Sequence, residues 1–284
     1  MSRPVPAVER AIEILELLAA RPHELLGLSE IARALDMNKA SCHATLTLLA
    51  DRSYLIRHDD KTYTLGPSVL TLANSFLLDQ DALPHARVEM AALSRELDLD
   101  CVASGVTDDK IVVLARTSSA GSFGVDVRVG THFALVPPVG TVFLAWAPRE
   151  RVDEWLAGIG GGATGAKRAR YLDALAIVRD RGYSVALGSA FDRATAEARD
   201  IDDYLLFQLE EKARLPVTHI AAPVFDPAGT VRLALTVVGF HDRLTVQDLP
   251  MVAERLLGAT RQVSRRSWGV VATPADVDLP PLRA

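Results

Sequence analysis

The chain has 284 residues, of which 49% are hydrophobic, so it is long enough for two domains with a sizeable core. Its longest unbroken apolar run, VFLAWA at residues 142–147, is far shorter than the roughly 18 residues of a membrane-spanning helix, so we expect no membrane partner. The net charge is −5, and residues 1–66 carry eight Lys and Arg against nine Asp and Glu. Overall charge therefore cannot attract nucleic acid, and only the local placement of cations could do so.

The N-terminal segment predicts an amphipathic helix rather than an export signal. Over residues 7–20 the apolar side chains recur at helical spacing, at Val8, Ile12, Leu15 and Leu18. Acidic residues interrupt them, which the apolar stretch of a secretory signal does not allow. We therefore expect a cytoplasmic protein.

Two more helices and a β-hairpin are predicted next. Ser29 can cap a second helix, and Asn38 can cap a third that runs to about Arg52. The β-rich runs YLIRH and TYTL flank a polar turn at residues 59–61, as in a hairpin. Three helices followed by a hairpin give the order of a winged helix-turn-helix, which predicts a DNA-binding domain over residues 1–66.

The third helix turns a short, nearly uncharged set of side chains outward. Its Ala and Thr methyl groups can contact thymine methyls, and its N-terminus can attract phosphate without a formal charge. With the flanking residues and the cations of the hairpin, the candidate DNA-binding residues are Lys39, Ala40, Ser41, His43, Ala44, Thr47, Arg52, Arg57 and Lys61. Because Asp59 and Asp60 oppose these cations, we expect tight binding only from a dimer on a palindromic site in double-stranded DNA. An ordinary solvated face, or a winged helix used for protein contact, remains open.

The rest of the chain predicts a connecting helix and an α+β domain. Residues 67–83 have helical periodicity, and residues 84–268 alternate helices with strand-like runs, including FGVDVRVG at residues 123–130. Helices are expected at about 139–147, 149–158 and 167–181, and a terminal helix from Thr245 to about Arg266. Residues 188–216 form a polar, helix-prone excursion, and residues 269–284 are expected to be irregular.

No pattern in the sequence indicates catalysis, a cofactor or a metal. The seven histidines lack metal-ligand spacing, and Cys42 and Cys101 lie in different apolar elements, which predicts buried reduced thiols. The GGGATG run at residues 160–165 resembles a phosphate-binding loop only by letter, because helical periodicity rather than a strand precedes it. We expect no enzyme; the alternative is an enzyme that carries a regulatory winged helix.

The strings AVERAIEILELLAA, LSEIARALDMNKASCHATLTLLADRSYL and YTLGP resemble the IclR-type family of bacterial transcription factors, and IAAPVFDPAGTV and ALTVVGF resemble it more weakly. The resemblance implies an α+β fold in which a winged helix-turn-helix, a linker helix and a GAF-like effector-binding domain follow one another. It also implies a sequence-specific transcriptional regulator, controlled by a small organic or aromatic acid, that forms dimers or dimers of dimers. In the recognition helix, Ala40 and Ala44 stand where the family usually has a hydroxyl residue and an arginine.

The resemblance places an effector pocket at the start of the helix after VPPVGT and on the last two strands. The corresponding residues are Val139, Gly140, Thr141, His219, Thr236 and Val238. His219 and Val238 depart from the small, Cys or Ser residues of relatives, which leaves the ligand class open. An ordinary strand histidine is the alternative for His219.

Overall fold

The computed structural model describes residues 5–78, 81–119, 127–159, 164–188, 200–207, 217–240 and 248–269. The chain divides into two compact units, Met1–Gln80 and Asp81–Ala284. The helix expected as a linker falls within the first unit.

The first unit is a winged helix-turn-helix. Its elements are α1 (Pro6–Ala20), β1 (Leu26–Gly27), α2 (Leu28–Ala34), α3 (Lys39–Asp51), β2 (Leu55–Arg57), β3 (Thr62–Leu65) and α4 (Ser68–Leu78). The strands form an antiparallel sheet in the order β1-β3-β2, so the predicted hairpin is confirmed and a short strand before α2 joins it. A hydrogen bond from the Ser68 hydroxyl to the Arg52 carbonyl, 2.8 Å long, ties the start of α4 to the end of α3.

The core of this unit corrects two sequence expectations. Ile14 and Leu18 are the buried residues of α1, whereas Val8 and Ile12 are 55% and 50% exposed. The apolar residues of α1 occupy more than one side of the helix, and spacing alone does not tell which side packs. Ser29 is not the N-cap of α2: the helix begins at Leu28, and the Glu30 carboxylate accepts a hydrogen bond from the Gly27 amide at 2.7 Å.

The second unit is an α+β domain. Its elements are α5 (Leu83–Leu97), β4 (Asp100–Thr107), β5 (Lys110–Thr117), β6 (His132–Ala134), α6 (Thr141–Leu144), α7 (Arg149–Ala157), α8 (Gly165–Arg181), β7 (Ser184–Leu187), α9 (Ile201–Tyr204), β8 (Val217–Phe225), β9 (Val231–Val238) and α10 (Leu249–Trp268). The six strands are antiparallel neighbours in the order β6-β5-β4-β9-β8-β7.

Two groups of helices pack against this sheet. The helices α5 and α10 contact each other and the sheet. A second hydrophobic cluster joins residues of α6, α7, α8 and α9 to Ala186, Ala221, Phe225 and Ala234 of the sheet. We call the sheet surface that carries these four residues the sensor face.

Several expected segments lie partly or wholly outside the described residues. The described part of the expected strand at 123–130, residues 127–130, is not a strand, although the amide of Gly130 donates to the carbonyl of Val113. Residues 160–163 of the GGGATG run, residues 189–199 and 208–216 of the excursion, residues 245–247 of the expected terminal helix and residues 270–284 of the tail lie outside the described residues. Cys42 and Cys101 are free and buried, as predicted, and burial raises the pKa of both thiols.

Candidate DNA-binding surface and effector site

The beginning of α3 is fixed by a side-chain cap. Asn38 has extended backbone angles, and its side-chain oxygen accepts a hydrogen bond from the Ser41 amide at 2.8 Å. This cap satisfies one of the amides that every helix leaves unpaired at its N-terminus. The remaining amides and the helix dipole give this end of α3 a partial positive charge that favours phosphate.

The side chains that the sequence predicts on the outward side of α3 are exposed in the structure. Cys42, Leu46 and Leu49 are buried, which orients the helix. Exposed residues are Lys39, Ala40, His43, Ala44 and Thr47, and Ser41 is partly buried.

Two hydroxyls of α3 are already engaged within the helix. The Thr47 hydroxyl donates to the His43 carbonyl at 2.9 Å, and the Thr45 hydroxyl donates to the Ser41 carbonyl at 2.9 Å. Thr47 is therefore an exposed residue whose hydroxyl proton is already used within the helix.

The β2–β3 hairpin forms a small, sharply turned wing. The Lys61 amide donates to the His58 carbonyl, and Lys61 itself has a φ of 63°, in the left-handed region. Asp60 accepts hydrogen bonds from the hydroxyl of Thr62 at 2.6 Å and from its amide at 3.1 Å, which lower the pKa of the Asp60 carboxyl. Arg57 and Lys61 are exposed on this wing and Arg52 is exposed at the end of α3, so all three can reach solvent.

Sequence reasoning missed two exposed apolar residues near this surface. Leu48 is 57% exposed on α3, and Ile56 is 45% exposed on β2. Leu48 follows Ala44 by four residues, so it extends the same side of the helix. Its exposure was predictable once the buried side of α3 had been fixed by Cys42, Leu46 and Leu49.

Strand register brings the sequence-predicted effector residues of β8 and β9 together. His219 pairs directly with Val238, and Ala221 pairs with Thr236. Because alternate residues of a strand point to the same side, His219, Thr236 and Val238 share the sensor face with Ala221. α6, which begins at Thr141, packs against β8 and β9.

The loop before α6 has a crowded conformation that leaves no room for a side chain at residue 140. Gly140 has a φ of 94° and ψ of 13°, a conformation that suits glycine. A Cβ atom at this position would overlap Cδ1 of Leu135 and lie 3.4 Å from Cδ1 of Ile111. Val139, just before it, is partly buried, and its carbonyl accepts a hydrogen bond from the Trp155 indole at 3.0 Å.

Two threonines near this face are almost fully buried. Thr141 and Thr236 are 3% and 8% exposed. The hydroxyl of a threonine can both donate and accept a hydrogen bond. These two side chains are therefore suited to bind a polar ligand.

His219 is a polar but uncharged group at this face. Burial lowers the pKa of its imidazole to about 4, so the ring is neutral at physiological pH. Its Nε2 lies 3.5 Å from the Tyr204 hydroxyl, and its Nδ1 lies 3.3 Å from the Thr218 hydroxyl. The contact with Tyr204 of α9 shows that His219 is packed between elements.

A buried ion pair at the sensor face was not predicted from the sequence. Asp100 pairs with Val238 across β4 and β9, and its carboxylate accepts a 2.8 Å hydrogen bond from Arg116 and a 2.9 Å bond from the Ser119 amide. The Asp100 side chain is fully buried, whereas that of Arg116 is 22% exposed. No local sequence signal could have indicated this pair, because Asp100 and Arg116 meet only through the β4–β5 register.

Comparisons with known proteins agree with both halves of the chain. Residues 7–59 match the IclR helix-turn-helix domain, and residues 207–265 match the C-terminal domain of the bacterial transcriptional regulator IclR. The chain belongs to the IclR family. This IclR-family protein is a DNA-binding transcriptional regulator with an effector-binding C-terminal domain, not an enzyme that carries a regulatory domain, and its relatives are named as regulators.

Its relatives match over most of their length. The regulator BhcR of Paracoccus denitrificans is 24% identical over 268 residues, which cover 92% of this chain and 86% of that protein. The crystal structure of Pseudomonas aeruginosa HmgR is 25% identical with a TM-score of 0.63, and the match covers 92% of this chain and 99% of that one. An IclR homologue from Microbacterium hydrocarbonoxydans, solved in complex with 4-hydroxybenzoate, is 19% identical with a TM-score of 0.61; the match covers 91% and 97% of the two chains.

The described residues offer neither a metal-binding cluster nor a membrane-spanning helix. They contain no group of three His, Cys, Asp or Glu side chains arranged to hold a metal ion. None of the helices in the described part of this IclR-family chain is long and apolar enough to cross a membrane.

Proposed function

We propose that this IclR-family protein binds a palindromic operator as a dimer, through α3 and the β2–β3 wing of each copy. The observation that carries the proposal is that α3, a helix of the matched helix-turn-helix, turns an exposed side outward between the Asn38 cap and the cations of the wing. Several side chains on that side are small, which lets a helix backbone approach the floor of the major groove. A regulator that works on chromosomal DNA acts in the bacterial cytoplasm.

The proposed grip on phosphate comes from a few well-placed groups. The α3 N-terminus contributes backbone amides and Lys39, while Arg52, Arg57 and Lys61 contribute cations near the end of the helix and on the wing. Asp60 works against them, because its lowered pKa keeps it ionised. One copy therefore makes few phosphate contacts, and a second copy is needed for tight binding.

Exposed apolar side chains support a contact with a second copy. Val8 and Ile12 on α1, and Leu70, Leu72 and Phe76 on α4, are 44–65% exposed. Large apolar groups in contiguous patches usually mark contact surfaces. We propose that these residues pack against a second copy of the chain. This contact would set the distance between the two α3 helices of the dimer so that it matches the distance between the two halves of a palindrome.

The proposed effector is a small aromatic or aliphatic acid at the sensor face. Thr141 and Thr236 supply hydroxyls, and His219 supplies a neutral imidazole. Val102, Val113, Val127 and Val238 form an apolar cluster beside them, against which Phe133 packs. Arg116 pairs with Val102 across β4 and β5. Its guanidinium would attract a carboxylate, although Asp100 neutralises part of its charge. The 4-hydroxybenzoate bound by the Microbacterium homologue belongs to this class.

Effector control follows from linkage. A ligand that binds the second unit more tightly in one dimer arrangement than in another shifts the population toward that arrangement. If the two arrangements space the α3 helices differently, operator affinity changes, and a coupling of about 1–3 kcal/mol gives a change of roughly 5- to 150-fold.

The DNA part of the proposal is tested by selecting sites from a pool of random duplexes with the full-length chain. We expect enrichment of a palindrome, a footprint with two symmetric halves, and affinity that falls steeply as salt rises. Sedimentation of the complex should give two chains per palindrome. Enrichment of no sequence, together with salt-independent capture of a protein partner, would favour a winged helix used for protein contact.

The effector part is tested by thermal-shift measurements on the full-length chain against aromatic and aliphatic acids. A specific ligand raises the apparent melting temperature through mass action. The Thr236→Val variant, which keeps the shape and removes the hydroxyl, should weaken that shift, whereas Thr62→Val on the wing should leave it unchanged. An equal shift in both variants would remove Thr236 from the effector site.

A further inference from the structure

The central line of exposed residues on α3 consists of methyl groups. Helical geometry places Ala40, Ala44 and Thr47 within about 60° of one another around the helix axis, opposite the buried side formed by Cys42, Leu46 and Leu49. We call Ala40, Ala44 and Thr47 the methyl face. Leu48, 57% exposed, borders it.

The methyl face has little capacity for hydrogen bonding to a base. The two alanines have no polar side-chain atom, and the Thr47 hydroxyl proton is given to the His43 carbonyl. At the N-terminal end, the Asn38 side-chain oxygen is held by the Ser41 amide. Of the groups that most often read guanine and adenine, Arg, Asn and Gln are absent from the exposed side of α3 between residues 39 and 48, and Lys39, at the first position of the helix, lies off the methyl face.

Among the base edges in the major groove, thymine alone carries an apolar group, its C5 methyl. We propose that this protein identifies its operator through thymine methyl groups packed against the methyl face, and that cations only position the helix. The inference rests on the proposed DNA-binding function of α3; the DNA-binding role itself rests on the helix-turn-helix match and the adjacent cations, not on the small residues. Cytosine that carries a C5 methyl group would satisfy the same contact.

The test replaces thymine by uracil in the selected operator, one position at a time. Uracil lacks only the C5 methyl and keeps the same hydrogen-bonding groups, so the exchange isolates the apolar contact. At one or more positions in each half-site, we expect the Kd from fluorescence anisotropy to rise about fourfold, the factor that corresponds to one buried methyl-sized group. Uracil in the flanking duplex, outside the footprint, is the matched control.

Protein variants assign the effect to the methyl face. Ala44→Ser keeps the Cβ atom and the helix but adds a hydroxyl; it should weaken the preference for thymine over uracil at one position and leave the other positions unchanged. Ser29→Ala, at an exposed position of α2, should leave the whole pattern unchanged.

Three outcomes decide between the claims. A selected operator that binds equally well with thymine or uracil at every position overturns the thymine inference and leaves the DNA-binding proposal standing. Loss at a position that none of the variants Ala40→Ser, Ala44→Ser and Thr47→Ser alters also overturns it, because the methyl contact would then lie elsewhere. Failure to select any operator would instead contradict the proposed function.

Discussion

Gly140→Ala is expected to destabilise the second unit strongly. The substitution places an L side chain at a φ of 94°, which costs about 1–3 kcal/mol. Its Cβ would also overlap Cδ1 of Leu135, a buried residue, and overpacking of a core costs about 1–3 kcal/mol more. The free energy of unfolding should therefore fall by about 2–6 kcal/mol.

Tryptophan fluorescence during urea unfolding reports this loss without interference from the first unit. All three tryptophans of the chain, Trp146, Trp155 and Trp268, lie in the second unit. In a unit of this size, each kcal/mol also lowers the melting temperature by roughly 2–4 °C. We expect Gly140→Ala to show both a lower urea midpoint and a lower melting temperature.

Two glycines of the same unit provide matched controls. Gly130 has a φ of 87°, but a Cβ there would meet no atom within 4 Å, so Gly130→Ala measures the backbone strain alone. Gly165, in the first turn of α8, has equally open space and no positive φ, so Gly165→Ala should be neutral or slightly stabilising. The difference between Gly140→Ala and Gly130→Ala is the cost of the overlap with Leu135. Equal stability of these two variants would refute the crowding of this loop, as would failure of Leu135→Ala to reduce the effect of Gly140→Ala.

Three further predictions concern the capped helix, the wing and the sensor face. Asn38→Ala removes the cap on Ser41 and should cost about 0.5–2 kcal/mol, seen as faster amide exchange at Ser41, whereas Asn38→Ser should preserve protection. Arg57→Ala should weaken binding to all duplexes alike and reduce the slope of log affinity against log salt by about 0.9. Arg21, which pairs with Glu24 before α2, is the control, and Arg21→Ala should change neither the affinity nor the slope. An altered sequence preference in Arg57→Ala would contradict a phosphate contact. The pKa of His219, lowered by burial from 6.5 to about 4, means that the unfolded chain takes up the proton first as pH falls. His219 therefore has no effect on the free energy of unfolding above pH 6.5 and should lower it by about 1–3 kcal/mol as the pH falls from about 6.5 to 4. In urea unfolding, His219→Gln should flatten this pH dependence. An unchanged pH dependence in the variant would mean that the imidazole is not desolvated.

Local sequence signals predicted the first unit well because its elements are stabilised by neighbours in the chain. The Asn38 cap, the buried side of α3 and the β2–β3 turn all depend on residues within a few positions, and the structure confirms them. The same signals were wrong for the packed side of α1, where Val8 and Ile12 are exposed. Apolar spacing indicates a helix, but the choice of side depends on α3 and β3, which lie outside the window.

Sequence periodicity could not predict which residues meet on the sensor face. Strand β4 lies between β5 and β9, and β9 follows it by more than 120 residues, so only the folded register places Thr236 and Val238 beside Asp100 and Val102. The family resemblance proposed Thr236, Val238 and His219 as effector residues, and the register places them on one side of the sheet, although their role remains a prediction. The Asp100–Arg116 pair had no signal at all, because neither residue occupies a special position in its own strand pattern.

The most direct test of effector control is the Kd of the selected operator measured with and without a saturating acid found in the thermal-shift screen. The account predicts a change of roughly 5- to 150-fold, and the same factor in the affinity for the acid when operator is added, because coupling between two sites is reciprocal. An operator Kd that stays constant while the acid demonstrably binds the second unit would contradict the account.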